Sequence, residues 1–300
     1  MSTSTLDRPP VTRLVAASNG DRDAKSLVFL ALLWGCLAFG ILALCVLLFN
    51  TLMEGSGRLD SMLFTNFTSQ LRPAQAGARA AILGSLMVIS TTAALAIPLG
   101  VAAASYLEEF ASRESRFAQL VELNVQNLAA VPAIIYGMLA SGFAVLIGLP
   151  RNTVLAGAIA LALLILPVII VSTREALRAV PREIRQGSLA LGASPMQTLL
   201  RQTLPAAIPG VATGTILALS RAIGEAAPLL LLGGLVFVRF DPNGLLSGFT
   251  TMPIQIFDWA GRPQVAFREL AAAASIVLLG LLLAMNALAI VIRNKFSAQR

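Results

Sequence analysis

Arg221 and Glu225 stand inside the apolar run LALSRAIGEAAPLLLLGG, residues 217–234. Arginine presents a planar fork of N–H donors that matches a carboxylate or a phosphate. A glutamate four residues further on lies on the same face of a helix and can reach it. A charge at the middle of a membrane costs about 2.5–3.5 kcal/mol on insertion scales. The two groups must therefore neutralise each other and face a bundle interior or a watery cavity. Two roles meet that condition: a structural pair that pins packing, and an anion site on a transport path. In the second, Arg221 attracts the anion and Glu225 keeps it from being held too tightly. Gly224 lets another backbone approach and Pro228 removes a helical hydrogen bond, so both are hinge candidates.

Little else in the chain supplies chemistry. There is no histidine, and the only cysteines, Cys36 and Cys45, share one apolar stretch. This excludes His general-base catalysis and gives neither a disulfide framework nor a metal site. No G-x-x-x-x-G-K-[ST] phosphate loop is present, so ATP is not expected to bind here in that manner. No catalytic residue and no cofactor of the chain's own is expected.

The elements that must position the charged pair are membrane helices. Of 300 residues, 57% are hydrophobic and 12% charged, a balance that a soluble domain cannot hide. Five stretches lack Asp, Glu, Lys and Arg: 27–49, 80–107, 123–150, 152–173 and 270–292. A sixth, 206–238, is interrupted only by Arg221 and Glu225. Each exceeds the roughly 20 residues that span a bilayer, which predicts an all-α polytopic membrane protein with six transmembrane helices. With the N-terminus cytoplasmic, 14 Lys and Arg fall on the inside and 7 outside, so both termini are expected in the cytoplasm. The net charge of +7 then reflects that bias, and no nucleic-acid partner is expected.

Residues 1–26 read as a disordered cytoplasmic tail before an uncleaved first helix. Residues 50–79 form an external segment too small to be a binding domain. Pro98 and Pro132 are tolerated where neighbouring helices re-satisfy freed carbonyls. Gly210 and Gly214 form a GxxxG for close helix approach. Ser90, Thr91, Thr92, Asn124 and Gln126 are expected to hydrogen-bond between helices. Glu122 is placed at a wetted boundary and Tyr136 in the core. Trp259 reads as an interfacial aromatic, and Arg174 and Arg178 as anchors of the cytoplasmic boundary.

The 174–205 connection breaks into two short helices. One runs to Leu191 and stops at Gly192, which tolerates a left-handed conformation. Ser194 then caps a second, with Pro195 at its first position, ending before Leu204-Pro205. Met196, Leu199 and Leu200 make a small apolar face, suited either to the chain's own helix ends or to a partner.

Residues 186–205 resemble the EAA loop of ABC-importer permeases, E-A-A-x3-G-x9-I-x-L-P. The matching positions are Gly192, Leu204 and Pro205; Gln186-Gly187-Ser188 replaces the opening triplet, so Gln186 offers a hydrogen bond but no charge. LAAVPAIIYGMLA (128–140), ALSRAIGEAAPLLL (218–231) and MPIQIFDWAGRPQVAFRELAAAA (252–274) are similar to the PstA family of phosphate-specific ABC-importer permeases. The sister PstC family shares Arg-x-x-Gly-Glu but continues differently after the glutamate. The likeness implies a MetI-like permease domain over 27–296. It implies a PstC-type sister permease, a PstB ATPase dimer carrying ATP and Mg²⁺, and an extracytoplasmic PstS phosphate-binding protein. It also implies that phosphate passes Arg221 and Glu225 in the plasma membrane of a prokaryote. Gly192, Met196, Leu199, Leu200, Leu204 and Pro205 would couple to the ATPase. Transport of another oxyanion, such as sulfate or molybdate, is the nearest alternative; an ATP-independent secondary transporter and an inert scaffold stand further off.

Overall fold

The computed structural model describes residues 24–111, 115–234 and 237–297. The expected tail lies outside them up to residue 23, and Ala24 already begins the first helix. The chain divides into two compact units, residues 1–50 and 51–300. In the first, helix α1 (Ala24–Gly55) carries apolar side chains on all sides and none from Ser26 to Asn50 is buried. A helix apolar all round suits a hydrocarbon surrounding.

The second unit continues through a short α2 (Ser61–Thr65), capped by the Asp60 carboxylate, which accepts from Leu63 N at 3.0 Å. Then come α3 (Arg79–Ser105), α4 (Arg116–Ala129), α5 (Ala133–Leu146), α6 (Val154–Arg178), α7 (Arg182–Ala190), α8 (Pro195–Thr198), α9 (Leu204–Ile223), α10 (Ala227–Leu231), α11 (Met252–Ala260) and α12 (Val265–Ser297). No strand occurs among the described residues; one isolated bridge joins Thr153 and Gly248. The fold is all-α. Among the described residues five helices are long and apolar enough to cross a membrane, and six if the bent pair α4–α5 counts as one span.

Helix α6 is the hub, packed by α3, α5 and α9. Small residues set the spacing. A Cβ at Gly210 would lie 2.7 Å from Ala176 Cβ, and one at Gly214 would collide with Ser172. Both glycines of the GxxxG thus face α6 one turn apart, the close approach that the spacing predicts. On the other side Gly100 meets Ile169, where a Cβ would sit 2.6 Å from Cγ2. A second apolar cluster joins Leu63, Met252, Trp259, Phe267 and Leu270. Trp259 is fully buried there, so it is a core residue and not the expected interfacial one.

Prolines decide where the spans depart from expectation. The ring of a helical proline collides with the carbonyl four residues earlier and removes its donor. Pro98, Pro167 and Pro209 are carried inside continuous helices. Pro132 is not: α4 stops at Ala129 and α5 starts after it, bent by 112°. Similarly, residues 206–238 are not one helix, because α9 stops at Ile223 and Gly224 is its cap. The break falls at the position four residues before Pro228, where the ring would collide. Pro205, by contrast, does not end a helix. A π turn at Leu199–Thr203, closed by Leu204 N donating to Leu199 O, carries α8 into α9. Such widened turns re-satisfy the backbone around a proline.

The polar span residues mostly bond within their own helix. Thr91 Oγ1 donates to Met87 O at 2.8 Å and Asn124 Nδ2 to Leu120 O at 2.7 Å. Thr92 does link two helices, donating to Ala158 O at 3.3 Å. The Gln126 side chain lies outside the described residues.

Candidate functional site

The two helix breaks face each other. At the first, Pro132 cannot donate to Leu128 O; that carbonyl accepts instead from Val131 N at 3.1 Å and from the Tyr136 hydroxyl at 2.6 Å. At the second, Pro228 packs on Gly137, the next residue of α5; a Cβ there would lie 2.7 Å from Pro228 Cα. Helices α5 and α10 thereby meet backbone to backbone. Arg221 projects from the last turn of α9, just before the second break. A cation suits that position, since the last carbonyls of a helix carry partial negative charge.

Glu225 lies beyond the Gly224 cap, so the pair does not share one continuous helical face as the i,i+4 spacing suggests. It still forms: Arg221 Nε and Glu225 Oε1 are 3.5 Å apart. That is a single long contact, and Arg221 remains 53% exposed in the chain alone. Arg174, in contrast, is 11% exposed and pairs with both Glu108 and Glu122. Among the described residues the Arg221 guanidinium pairs with Glu225 alone, so most of its fork is open to an anion. The break itself is satisfied, with Gly224 N donating to Arg221 O at 3.3 Å and Glu225 N to Ala222 O at 3.2 Å. Non-helical backbone at membrane depth persists only where protein or a wet cavity surrounds it, which is where a charged pair belongs.

The hinge candidates divide. Gly224 has an ordinary φ of −90°. A Cβ there would meet only Arg221 O of its own turn, at 3.9 Å. No other backbone approaches it, contrary to the expected reason for a glycine. Pro228 acts as the breaker of the helix upstream of itself, while it starts α10.

The 174–205 connection folds through its caps. Gly192 takes φ +86°. Ser194 forms a capping box with Gln197: Ser194 Oγ accepts from Gln197 N at 3.3 Å and Gln197 Oε1 accepts from Ser194 N at 2.9 Å. Met196, Leu199 and Leu200 share one face, buried to different depths. Leu199 is buried with Leu177, Val180 and Ala207 in the chain's own core. With Met196, Leu200 and Leu204 it also lines an apolar groove of about 490 Å³ against Ile97, Pro98 and Val101 of α3. Pro205 is half-buried beside Leu204. The most exposed apolar side chain of the loop is Leu191, at 91%, next to Gly192. Helical periodicity could not single out Leu191, because it sits on a cap and not on a face.

Sequence reasoning also missed an ion network at the same end. The chain after α3 widens into a π turn, Tyr106–Phe110, holding Glu108 and Glu109. Arg178 Nε donates to both Glu108 carboxylate oxygens, at 2.9 and 3.0 Å. Arg174 Nη1 lies 3.0 Å from Glu122 Oε1, so Glu122 is paired and not merely wetted. Arg185 Nη2 lies 2.7 Å from Glu109 Oε1. The acid pair in an otherwise neutral helix end was the available signal. At the opposite end Arg79 grips Asp241 in a two-pronged pair, Nε to Oδ1 at 3.1 Å and Nη2 to Oδ2 at 2.5 Å.

An all-α bundle of helices long and apolar enough to span defines a multi-pass membrane protein. The chain belongs to the family of binding-protein-dependent transport system inner membrane components, which its residues 96–297 match. More particularly, it is similar to the phosphate transport system permease protein PstA of Yersinia pestis. The two are 32% identical over 274 residues, 91% of this chain and 92% of that protein. Among solved structures it resembles a chain of a bacterial ABC transporter involved in import of the acidic polysaccharide alginate. There the TM-score is 0.62 at 16% identity, covering 90% of this chain and 98% of that one. A chain of the inward-facing methionine ABC transporter MetNI matches with TM-score 0.56 at 20% identity, covering 73% and 95%. These two likenesses establish the MetI-like permease fold.

Proposed function

We propose that this chain is the transmembrane permease subunit of an ATP-binding-cassette importer of inorganic phosphate. It lies in the plasma membrane of a prokaryote with both termini cytoplasmic. The observation that carries the reading is the similarity to PstA along nearly the whole of both chains. The loosely paired Arg221 supports it, since a guanidinium fork suits a phosphate better than a neutral solute. The excess of Lys and Arg at the Arg174 end supports the orientation.

The chain is non-catalytic in this account. ATP and Mg²⁺ belong to a PstB-type ATPase dimer, and a PstC-type sister permease completes the path. A PstS-type protein delivers phosphate from outside. Arg221 attracts the anion at the helix break and Glu225 competes with it for the guanidinium, so residence stays short. The 187–204 segment docks on the ATPase with Gly192 at its turn. Leu191 and the exposed parts of Met196 and Leu200 make the apolar contact, while Leu199, Leu204 and Pro205 hold the segment onto α9.

The test is ATP hydrolysis by the purified complex in lipid vesicles. Phosphate with its binding protein should stimulate hydrolysis several-fold, whereas sulfate and molybdate should leave it at the basal rate. Stimulation by sulfate or molybdate in place of phosphate would reassign the substrate. Uptake that survives removal of ATP would point to a secondary transporter.

A further inference from the structure

Helix α7 has no buried residue, and its Ile184 and Leu189 side chains stay 39% and 48% exposed, so apolar packing holds it only in part. Polar contacts add to that attachment. Ser188 Oγ and Thr198 Oγ1 are 2.9 Å apart, which ties α7 only to the next short helix. Toward the bundle the polar attachment is Arg185. Its Nη2 donates to Leu177 O at 2.7 Å, and the same nitrogen lies 2.7 Å from Glu109 Oε1. Both side chains of that pair are largely shielded, 23% and 17% exposed. Screening by salt is weak for such a pair, and removing one partner strands the other charge.

Glu109 and its neighbour Glu108 diverge around the π turn, as successive helical residues do. Glu109 reaches α7, while Glu108 is held by Arg174 and Arg178 of α6. Arg174 continues to Glu122 of α4. One π turn at the end of α3 therefore connects α7 to two membrane helices. We infer that Arg185 and Glu109 are positioning residues that transmit movement of α7 to α3, α4 and α6. This assignment deepens the importer reading and rests on it for the meaning of the movement. The attachment itself does not depend on the substrate.

Two measurements test it. A spin label on Gly187→Cys, where a side chain meets nothing within 4 Å, reports α7 in bilayers, in a Cys36→Ser/Cys45→Ser background. Arg185→Glu should sharpen the label spectrum, and Arg185→Glu/Glu109→Arg should return it to the parent form. In the reconstituted importer without label, Arg185→Glu should lower phosphate moved per ATP hydrolysed about tenfold or more. The double reversal should restore that ratio to within about twofold. A parent-like spectrum in Arg185→Glu overturns the attachment. A spectrum that responds while the uptake-to-hydrolysis ratio does not overturns the transmitting role, as does a double variant that assembles without restoring the ratio. If the unaltered complex moves no phosphate, the importer reading fails, and the label spectra still decide the attachment.

Discussion

Arg221 and Arg174 are the same side chain in two settings, and the difference assigns their work. Arg174 is shielded and doubly paired, while Arg221 is half-exposed with one 3.5 Å contact. An exposed pair contributes about 0–1 kcal/mol, so the 3.5 Å contact gives Arg221 little reason to be in an apolar run. Glu225→Gln should remove the competitor for the guanidinium, giving tighter apparent phosphate affinity and slower turnover in uptake assays. Tyr136→Phe should lose the phenol's hydrogen bond across the bend to Leu128 O, lowering stability by about 1 kcal/mol, read as a lower melting temperature of the purified chain. The identity of the charged pair was legible because charges are rare in apolar runs. Its geometry was not, since the i,i+4 rule presumes a helix that Pro228 ends. Tyr136 passed as core filling because its partner is the backbone carbonyl of Leu128 across the α4–α5 bend, which no side-chain pattern reveals. The Arg185–Glu109 pair is separated by 76 positions, and no local pattern links residues so far apart.

Helix ends and crossings follow from few residue types. Charge-free runs gave the spans that α1, α3, α6 and α12 occupy, and Gly192 with Ser194-Pro195 marked the loop's turn. The prolines were ambiguous: Pro98, Pro167 and Pro209 stay inside helices while Pro132 and Pro228 end them, and only tertiary packing distinguishes the two outcomes. The α9–α6 crossing depends on Gly214 lying against Ser172. Gly214→Val should therefore destabilise the purified chain by roughly 1–3 kcal/mol through overpacking. Gly280→Val, on a helix face with nothing within 4 Å, should melt close to the parent temperature. Equal melting of the two variants would contradict the packing described.

Across the whole molecule, charged contacts gather at two ends of an apolar bundle, with Arg79–Asp241 at one and the Glu108–Arg178 network at the other. The proposed orientation puts the first outside. In a Cys36→Ser/Cys45→Ser background, Leu71→Cys should react with an impermeant maleimide on intact cells, and Leu191→Cys only after permeabilisation. Both positions are more than nine-tenths exposed in the chain, so access to the side of the membrane decides the result. Large apolar side chains along α12, among them Leu283, Leu288 and Val291, stay exposed, as suits a helix that faces lipid. The central claim is that Arg221 handles the transported anion. ATP-driven phosphate uptake into vesicles by the assembled complex tests it most directly, comparing the parent with Arg221→Gln at equal complex yield. The account predicts at least a tenfold loss of uptake in Arg221→Gln; uptake equal to the parent would contradict it and leave the pair a structural pin.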